Sequence, residues 1–285
     1  MNLDPYLASI HDGAARMASC ADRAEHDRDL LGLPVAACPG WDVRHLFVHT
    51  GWIHRWATQA LRTGSPPSRD DVHEPHPTIG GEELGAWLRL GAGVLADVLA
   101  AQDPGSDTWH PFPFEQKAWV WSRRQAHETT IHRWDAESAV LGASDLDGAV
   151  SCDGLREFFE MMLPRAIARE KHTVPSGSVR IHCTDGEELA SGAVCPDDAR
   201  LQTSWTIWND AGEYRMCGRH GDEDDDTAST ADRDASSAPP GAPDAEITGE
   251  AASLFLALMG RADRESLTIG GDAAIAAAWM DLPGP

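Results

Sequence analysis

Apolar residues recur at helical spacing through most of the first 170 residues. The pattern covers five segments: 3–30, Val43–Thr63, 82–102, 116–141 and 154–170. A period of 3.6 residues is typical of amphipathic helices. Asp42 is a suitable N-cap for the second segment, which Gly64 closes, and Gly142 ends the fourth. Helices of this length joined by loops predict an up-and-down helical bundle.

The pattern changes after Pro175, where apolar and polar residues begin to alternate. This alternation predicts strands, and two helical patterns follow them. The expected strands are 178–184, 201–208, 213–217 and 267–269, and the expected helices are 250–260 and 272–280. The fold class we expect is therefore mainly α, with a helical bundle over residues 1–172 and a smaller α+β domain over residues 173–285.

An acidic segment rich in Ser, Pro and Gly interrupts the second domain at residues 219–243. Its composition offers too little apolar surface to offset the entropy of ordering the chain. We expect this insert to be a disordered loop that can be deleted without loss of stability.

The composition of the chain argues against some classes of binding partner. The formal net charge is −23, which repels phosphate backbones and anionic lipids, so we expect neither nucleic acid nor a membrane surface as a partner. No run of 18 apolar residues and no secretory signal pattern is present, so we expect a cytoplasmic protein.

The six cysteines form no C-x-x-C pair, and the spacing of Cys183, Cys195, Cys217 and His220 fits no usual zinc pattern.

Glu128 and His132 lie four residues apart in the fourth helical segment, so they share one face of the helix. Asp135 lies on the same face, whereas His127 lies on the neighbouring packing face. A buried Glu and His need partners because their desolvation is costly, and a divalent cation would satisfy both. On spacing alone, however, a Glu-x-x-x-His pair is usually a surface pair.

A third ligand would have to come from another helix. The second segment offers His45, His49 and His54. His49 lies along the edge of the apolar face and can point into the bundle, whereas His45 is further toward solvent. His45 and His49 are also four residues apart and form a rival pair. Two imidazoles and one carboxylate would leave positions for water or substrate, as in catalytic metal sites.

Two motifs carry a resemblance to a known family. They are CPGWDVRHLFVHTGWIHRWA and, about eighty residues later, RRQAHETTIHRWDAE. Together they resemble the mycothiol-dependent maleylpyruvate isomerase family, and ITGEAASLFLALMGRADRESLTIGGDAA resembles its smaller second domain. The resemblance implies a DinB-like four-helix bundle followed by a sterol-carrier-like domain. It also implies His49, Glu128 and His132 as metal ligands, zinc as the usual metal, and mycothiol as co-substrate.

The resemblance also suggests the chemistry. A metal-bound thiol is deprotonated, and its thiolate could add to a small electrophile. The outcome would be an S-transferase or a cis–trans isomerase reaction. Arg261 matches a position where the family commonly has Arg, so it is our candidate for binding a substrate carboxylate. The alternatives are a non-catalytic protein that binds a metal or small ligand, and a metal-dependent hydrolase with Asp135 near the site.

Overall fold

The structure is a computed structural model and describes residues 3–23, 28–170, 172–192, 201–219 and 241–282. It is mainly helical, with one small five-stranded sheet among the described residues. Contacts between Cα atoms divide the chain into two compact units. The first contains Met1–Pro111 and Glu115–Leu146, and the second contains Phe112–Phe114 and the residues from Asp147, apart from 196–198.

Four long helices build the first unit. They are α1 (Asp4–Arg23), α2 (Val43–Thr63), α3 (Gly81–Ala101) and α4 (Ala118–Leu141). Helices α1 and α2 each pack against both α3 and α4. The core between them is apolar, with Ile10, Leu46, Leu88 and Leu95 fully buried. Its burial is the main force that holds the helices together.

Helix α1 is shorter than its sequence pattern indicates. It ends at Arg23, and a short 3-10 helix follows at Arg28–Gly32. Ala21 is the last residue of α1 that is buried, and Asp22 and Arg23 offer no apolar surface to extend the buried face. The predicted α-helix over residues 3–30 is therefore wrong at residues 28–30, which belong to the 3-10 helix, and residues 24–27 lie outside the described residues.

Helix α3 is the one described helix long and apolar enough to cross a membrane by length and composition. The same composition is typical of a core helix in a bundle. Helix α3 packs against both α1 and α2 within the first unit.

The second unit begins with an almost continuous helix. Asp147 caps α5 (Gly148–Glu157) by accepting the N–H of Val150 at 2.9 Å, so the helix starts six residues earlier than expected. One π-helical turn at Phe158–Met162 leads into α6 (Leu163–Glu170). Helix α5 packs against α8 (Ala251–Leu258), where the ring of Phe255 lies directly over Gly154.

Five strands form a single sheet in the order β3-β2-β1-β4-β5. Their bounds are β1 Ser178–Cys183, β2 Ser204–Asp210, β3 Glu213–Arg219, β4 Ala245–Gly249 and β5 Thr268–Gly271. β4 runs parallel to β1 and the other neighbours are antiparallel. Helices α7 (Gly186–Gly192) and α9 (Ala273–Met280) complete the unit.

The units divide at Leu146, whereas the sequence pattern favours a boundary at residue 172. The difference arises because α5 packs on α8. A domain boundary at residue 172 stays a prediction. Most of the acidic insert at 219–243 lies outside the described residues, so its expected disorder also stays a prediction.

Candidate metal centre

A tight loop ahead of α2 determines where the helix begins. The N–H of Trp41 donates to the carbonyl of Cys38 at 2.9 Å, and Gly40 has a φ of +83°, as a type II turn requires at its third position. Asp42 then caps α2 by accepting the N–H of His45 at 2.8 Å. The cap that the sequence predicts is present.

His49 lies nearly two turns into α2, at the edge of its buried face. Leu46 and Thr50 beside it are fully buried, whereas the His49 side chain is 31% exposed. Its Nε2 atom lies 3.1 Å from Oε1 of Glu128 on α4. At this position on the helix, His49 contacts Glu128 inside the unit and is also accessible to solvent.

Glu128 and His132 occupy successive turns of α4, as their spacing predicts. Oε1 of Glu128 lies 3.2 Å from Nε2 of His132, and the rings of His49 and His132 are nearly perpendicular with centroids 5.2 Å apart. One ligand atom from each residue falls within 4.8 Å of the others. Ligands about 2.0–2.1 Å from a tetrahedral ion lie about 3.3 Å apart, so this donor set fits a divalent ion such as zinc.

Two further side chains of α4 orient these ligands. Asp135 has a fully buried side chain and accepts a hydrogen bond from Nδ1 of His132 at 2.9 Å. Arg124 donates to Oε2 of Glu128 at 2.7 Å. These contacts leave Nε2 of His132 and Oε1 of Glu128 for a cation. Carboxylate–histidine pairs of this kind tune metal sites in many proteins.

The electrostatics of the cluster favour positive charge. Burial raises the pKa of Glu128, but the positive charges of His132 and Arg124 have the larger combined effect and hold this pKa well below its usual range. Burial lowers the pKa of His132, yet the carboxylates of Glu128 and Asp135 raise it to about 9. Without a metal ion, the proton on His132 supplies the positive charge that a divalent cation would bring to the same place.

The loop before α2 also covers the cluster. The ring of Trp41 lies with its centroid 4.7 Å from that of His49 and 6.3 Å from that of His132. Sγ of Cys38 lies 3.9 Å from Oδ2 of Asp135, so Cys38, His132 and Asp135 form a second group of possible ligand atoms. The CPGW motif thus places an aromatic ring and a thiol beside the histidines.

Comparisons with known proteins bear on this unit. Residues 10–137 match the family model described as mycothiol maleylpyruvate isomerase N-terminal domain. This N-terminal unit belongs to that family. The three residues of the cluster all lie within the matched segment, and the resemblance seen in the two sequence motifs is confirmed.

Solved structures extend the likeness to the whole fold. The chain is similar to a crystal structure of the mycothiol-dependent maleylpyruvate isomerase, with 12% identity, a TM-score of 0.55, and coverage of 100% of this chain and 96% of that one. A histidine-to-alanine mutant of the isomerase gives the same identity and coverage with a TM-score of 0.56. No curated protein sequence matches the chain. At this identity the likeness to the isomerase structures concerns the fold.

Three other histidines of the isomerase-family unit, His45, His54 and His127, are not part of this group of ligand atoms. His45 is exposed, and its Nδ1 lies 2.7 Å from Oδ1 of Asp42. His54 is fully buried, its Nε2 lies 2.8 Å from the hydroxyl of Thr129, and burial lowers its pKa to about 3. His127 is buried with its ring edge-on to a tyrosine. The structure therefore groups His49, and neither His45 nor His54, with the ligands on α4.

Arg261 lies in the second unit, just after α8. Its Nη1 donates to the carbonyl of Met259 at 2.6 Å. Its role in carboxylate binding stays a prediction.

Of the cysteines in the rejected zinc pattern, Cys183 is buried with its Sγ 3.9 Å from that of Cys152, and Cys195 lies outside the described residues.

Sequence reasoning missed the contributions of Arg124 and Cys38 to the cluster. Arg124 precedes Glu128 by four residues, so the helical spacing that paired Glu128 with His132 could also have indicated this ion pair. The position of Cys38 depends on how the loop folds back onto α4, and local spacing carries no signal for that contact.

Proposed function

We propose that this protein is a metal-dependent enzyme that activates mycothiol and adds its thiolate to a small electrophilic substrate. The observation that carries the proposal is the convergence of His49, Glu128 and His132 in a unit of the mycothiol maleylpyruvate isomerase N-terminal domain family. The isomerase whose structures it resembles is described as mycothiol-dependent. An S-transferase and a cis–trans isomerase both follow from this chemistry.

Each residue of the cluster has a defined task. His49, Glu128 and His132 would supply three ligands, which leaves room at a four-coordinate ion for one outside group. Asp135 holds the tautomer of His132, and Arg124 holds the second oxygen of Glu128. When bound, a divalent ion such as zinc lowers the pKa of a thiol, which is otherwise near 8.5.

The reaction forms one bond between sulfur and carbon. The thiol releases its proton to solvent, and its sulfur attacks one carbon of a conjugated double bond, whose π bond breaks as its electrons move onto the conjugated carbonyl to give an enolate. In a transferase reaction the enolate takes up a proton from solvent, and the thioether is released. An isomerase lets the adduct rotate about the former double bond, then breaks the sulfur–carbon bond and regenerates the thiol. Trp41 would limit the access of water to this point through its packing on His49 and His132.

Finer features belong to the same proposal. We propose a DinB-like arrangement of α1–α4, a sterol-carrier-like second domain and a cytoplasmic location. We also propose that Arg261 contributes to binding of a substrate carboxylate. The DinB-like arrangement, the sterol-carrier-like domain and the role of Arg261 rest on the resemblance of the sequence motifs, and the cytoplasmic location is the expectation drawn from the pattern of apolar residues.

The test is a thiol-dependent turnover assay on the metal-loaded protein. Mycothiol and maleylpyruvate would be supplied together, and both loss of thiol and cis–trans isomerisation would be followed. We expect His49→Ala to abolish turnover and to lose bound metal, whereas the exposed His45→Ala should retain both. A cobalt-substituted protein should gain a sulfur-to-metal charge-transfer band with mycothiol. If mycothiol neither changes that spectrum nor supports turnover, the proposal fails.

A further inference from the structure

A cavity of about 490 Å³ adjoins the cluster on the outer side of α2. This volume lies within the range of small-molecule sites. The cavity is formed by α2, by Trp41 before it, and by the loop from Arg69 to Pro77, all within the first unit. His49 forms part of its wall and is the most exposed of the three candidate ligands. A molecule in this cavity would therefore lie next to the ligand cluster.

The charge of the cavity is opposite to that of the chain. The whole protein carries a formal charge of −23, yet Arg44 and Arg69 both line the cavity together with three histidines. Glu74 is the one acidic residue among the described residues of its wall, and it is exposed. A concave site lined by cations on an acidic protein concentrates anionic ligands.

Arg44 is held in place with part of its hydrogen-bonding capacity unused. Its Nη2 donates to the carbonyl of Ile79 at 2.8 Å, which fixes the guanidinium against the end of the loop. Its Nη1 is buried and has no hydrogen-bond partner among the described residues. A buried N–H without an acceptor is costly. Because Arg44 lines the cavity, a ligand carboxylate bound there would supply that acceptor.

The remaining wall of the cavity is aromatic and aliphatic. Trp52 forms part of it and stacks on Trp56, with ring centroids 6.0 Å apart and planes 18° apart. The guanidinium carbon of Arg69 lies 5.9 Å from the centre of the Trp52 ring. The apolar residues that line the cavity are Trp41, Val48, Trp52, Ile53, Pro75 and Pro77. Such a surface suits the apolar body of a ligand.

We propose that this cavity binds the electrophilic substrate, and that the substrate is an apolar molecule bearing a carboxylate. The carboxylate pairs with Arg44 and Arg69, the apolar body lies against Trp52, and the reactive carbon faces His49. This inference rests on the proposed function for the identity of the ligand as a substrate. The binding site itself lies within the first unit and does not depend on Arg261.

The test is calorimetric titration of the full-length protein, in both metal-loaded and metal-free forms, with three probes. Cinnamate combines a phenyl ring with a carboxylate, cinnamamide lacks the charge, and inorganic phosphate lacks the apolar body. We expect cinnamate to bind at least about tenfold more tightly than cinnamamide. Phosphate should not displace it. Equal affinity for the acid and the amide would overturn the proposal, as would displacement of cinnamate by equimolar phosphate.

Variants locate the binding site. Arg44→Ala should weaken cinnamate binding at least about tenfold and leave cinnamamide binding unchanged. Arg69→Ala, which removes an exposed side chain and does not threaten folding, should weaken cinnamate binding several-fold. Arg62→Ala, on the exposed end of α2, is the matched control and should have no effect. Unchanged cinnamate affinity in both cavity variants would contradict the assignment.

The two proposals fail in different ways. Cinnamate binding requires neither metal nor mycothiol, so Arg44-dependent binding without any thiol turnover would reject the proposed function and retain the site. Thiol turnover that is equally fast with charged and uncharged electrophiles, with a KM unchanged in Arg44→Ala, would reject the site and retain the function.

Discussion

The carboxylate of Asp135 accepts a hydrogen bond from Nδ1 of His132 at 2.9 Å, in a position where its side chain is fully buried. An ionised carboxylate can only accept, so this contact fixes the proton of neutral His132 on Nδ1. Nε2 is then unprotonated and lies 3.2 Å from Oε1 of Glu128, on the side where His49 also converges.

Asp135→Asn should therefore weaken metal binding by about 10- to 100-fold without removing a ligand. Competition with a chelating indicator would measure the affinity. Asp97→Asn, an exposed substitution of the same kind on α3, is the matched control and should bind metal normally. If Asp135→Asn and Asp97→Asn have the same affinity as the unmodified protein, Asp135 does not orient the ligand.

The stability of the metal-free protein should fall as the pH rises from about 7 to 9. Burial lowers the pKa of His132, but Glu128 and Asp135 raise it to about 9, above its value in the unfolded chain near 6.5. The stabilisation that this protonation provides is therefore fully present below about pH 6.5 and is lost as the pH rises through about 9. The loss should be on the order of 1–3 kcal/mol.

Thermal unfolding at several pH values, in the presence of a chelator, measures this effect. His132→Gln should show a flatter pH dependence because it lacks the titrating group. The metal-saturated protein should also be flatter, since a ligating imidazole carries no extra proton. An identical decline in the metal-free protein and in His132→Gln would exclude His132 as its source.

Glu137→Ala should destabilise the first unit by about 3–5 kcal/mol. Glu137 accepts two hydrogen bonds from Arg16, at 2.7 and 2.9 Å, and one from the buried Arg133 at 2.8 Å. Its removal leaves the Arg133 charge inside the protein without this partner. Denaturation by urea measures the change. Glu83→Ala, at an exposed position of α3, should change stability by no more than about 0.5 kcal/mol. Comparable losses in both variants would contradict this account.

Two glycine substitutions should have opposite effects. A Cβ atom on Gly51 of α2 would lie 2.1 Å from Cζ3 of Trp87 on α3, so Gly51→Ala should force these helices apart and cost at least about 1–3 kcal/mol. A Cβ atom on Gly93 meets nothing within 4 Å, and Gly93→Ala should stabilise α3 by about 0.5–1 kcal/mol. Differential scanning calorimetry distinguishes them, and equal shifts would show that the contact with Trp87 adapts freely.

Local sequence signals predicted those helix ends at which the sequence itself contains a capping residue. Asp42 and Gly64 bound α2 as expected, because a capping carboxylate and a left-handed glycine act within one turn of the helix. The pairing of Glu128 with His132 follows from the same local geometry. Residue spacing alone does not reveal which face of α2 meets α4, so it does not distinguish His49 from His45 as the ligand.

Features that depend on distant contacts were missed. Strand β4 comprises only Ala245–Gly249 and directly follows the acidic insert, so it offers little pattern of its own. Its strand conformation depends on pairing with β1 on one side and β5 on the other. The start of α5 at Gly148 was also missed, although Asp147 carries a local capping signal.

Four of the five side chains that form and orient the centre belong to one helix, and only His49 comes from another. The residues of the centre on α4 therefore come together as soon as that helix forms, whereas the complete centre exists only when α2 has packed against α4 in register. A bound ion would link α2 to α4 through its ligands. Its release rate would then report how often α2 separates from α4, which makes metal loss a direct gauge of local opening in the first unit.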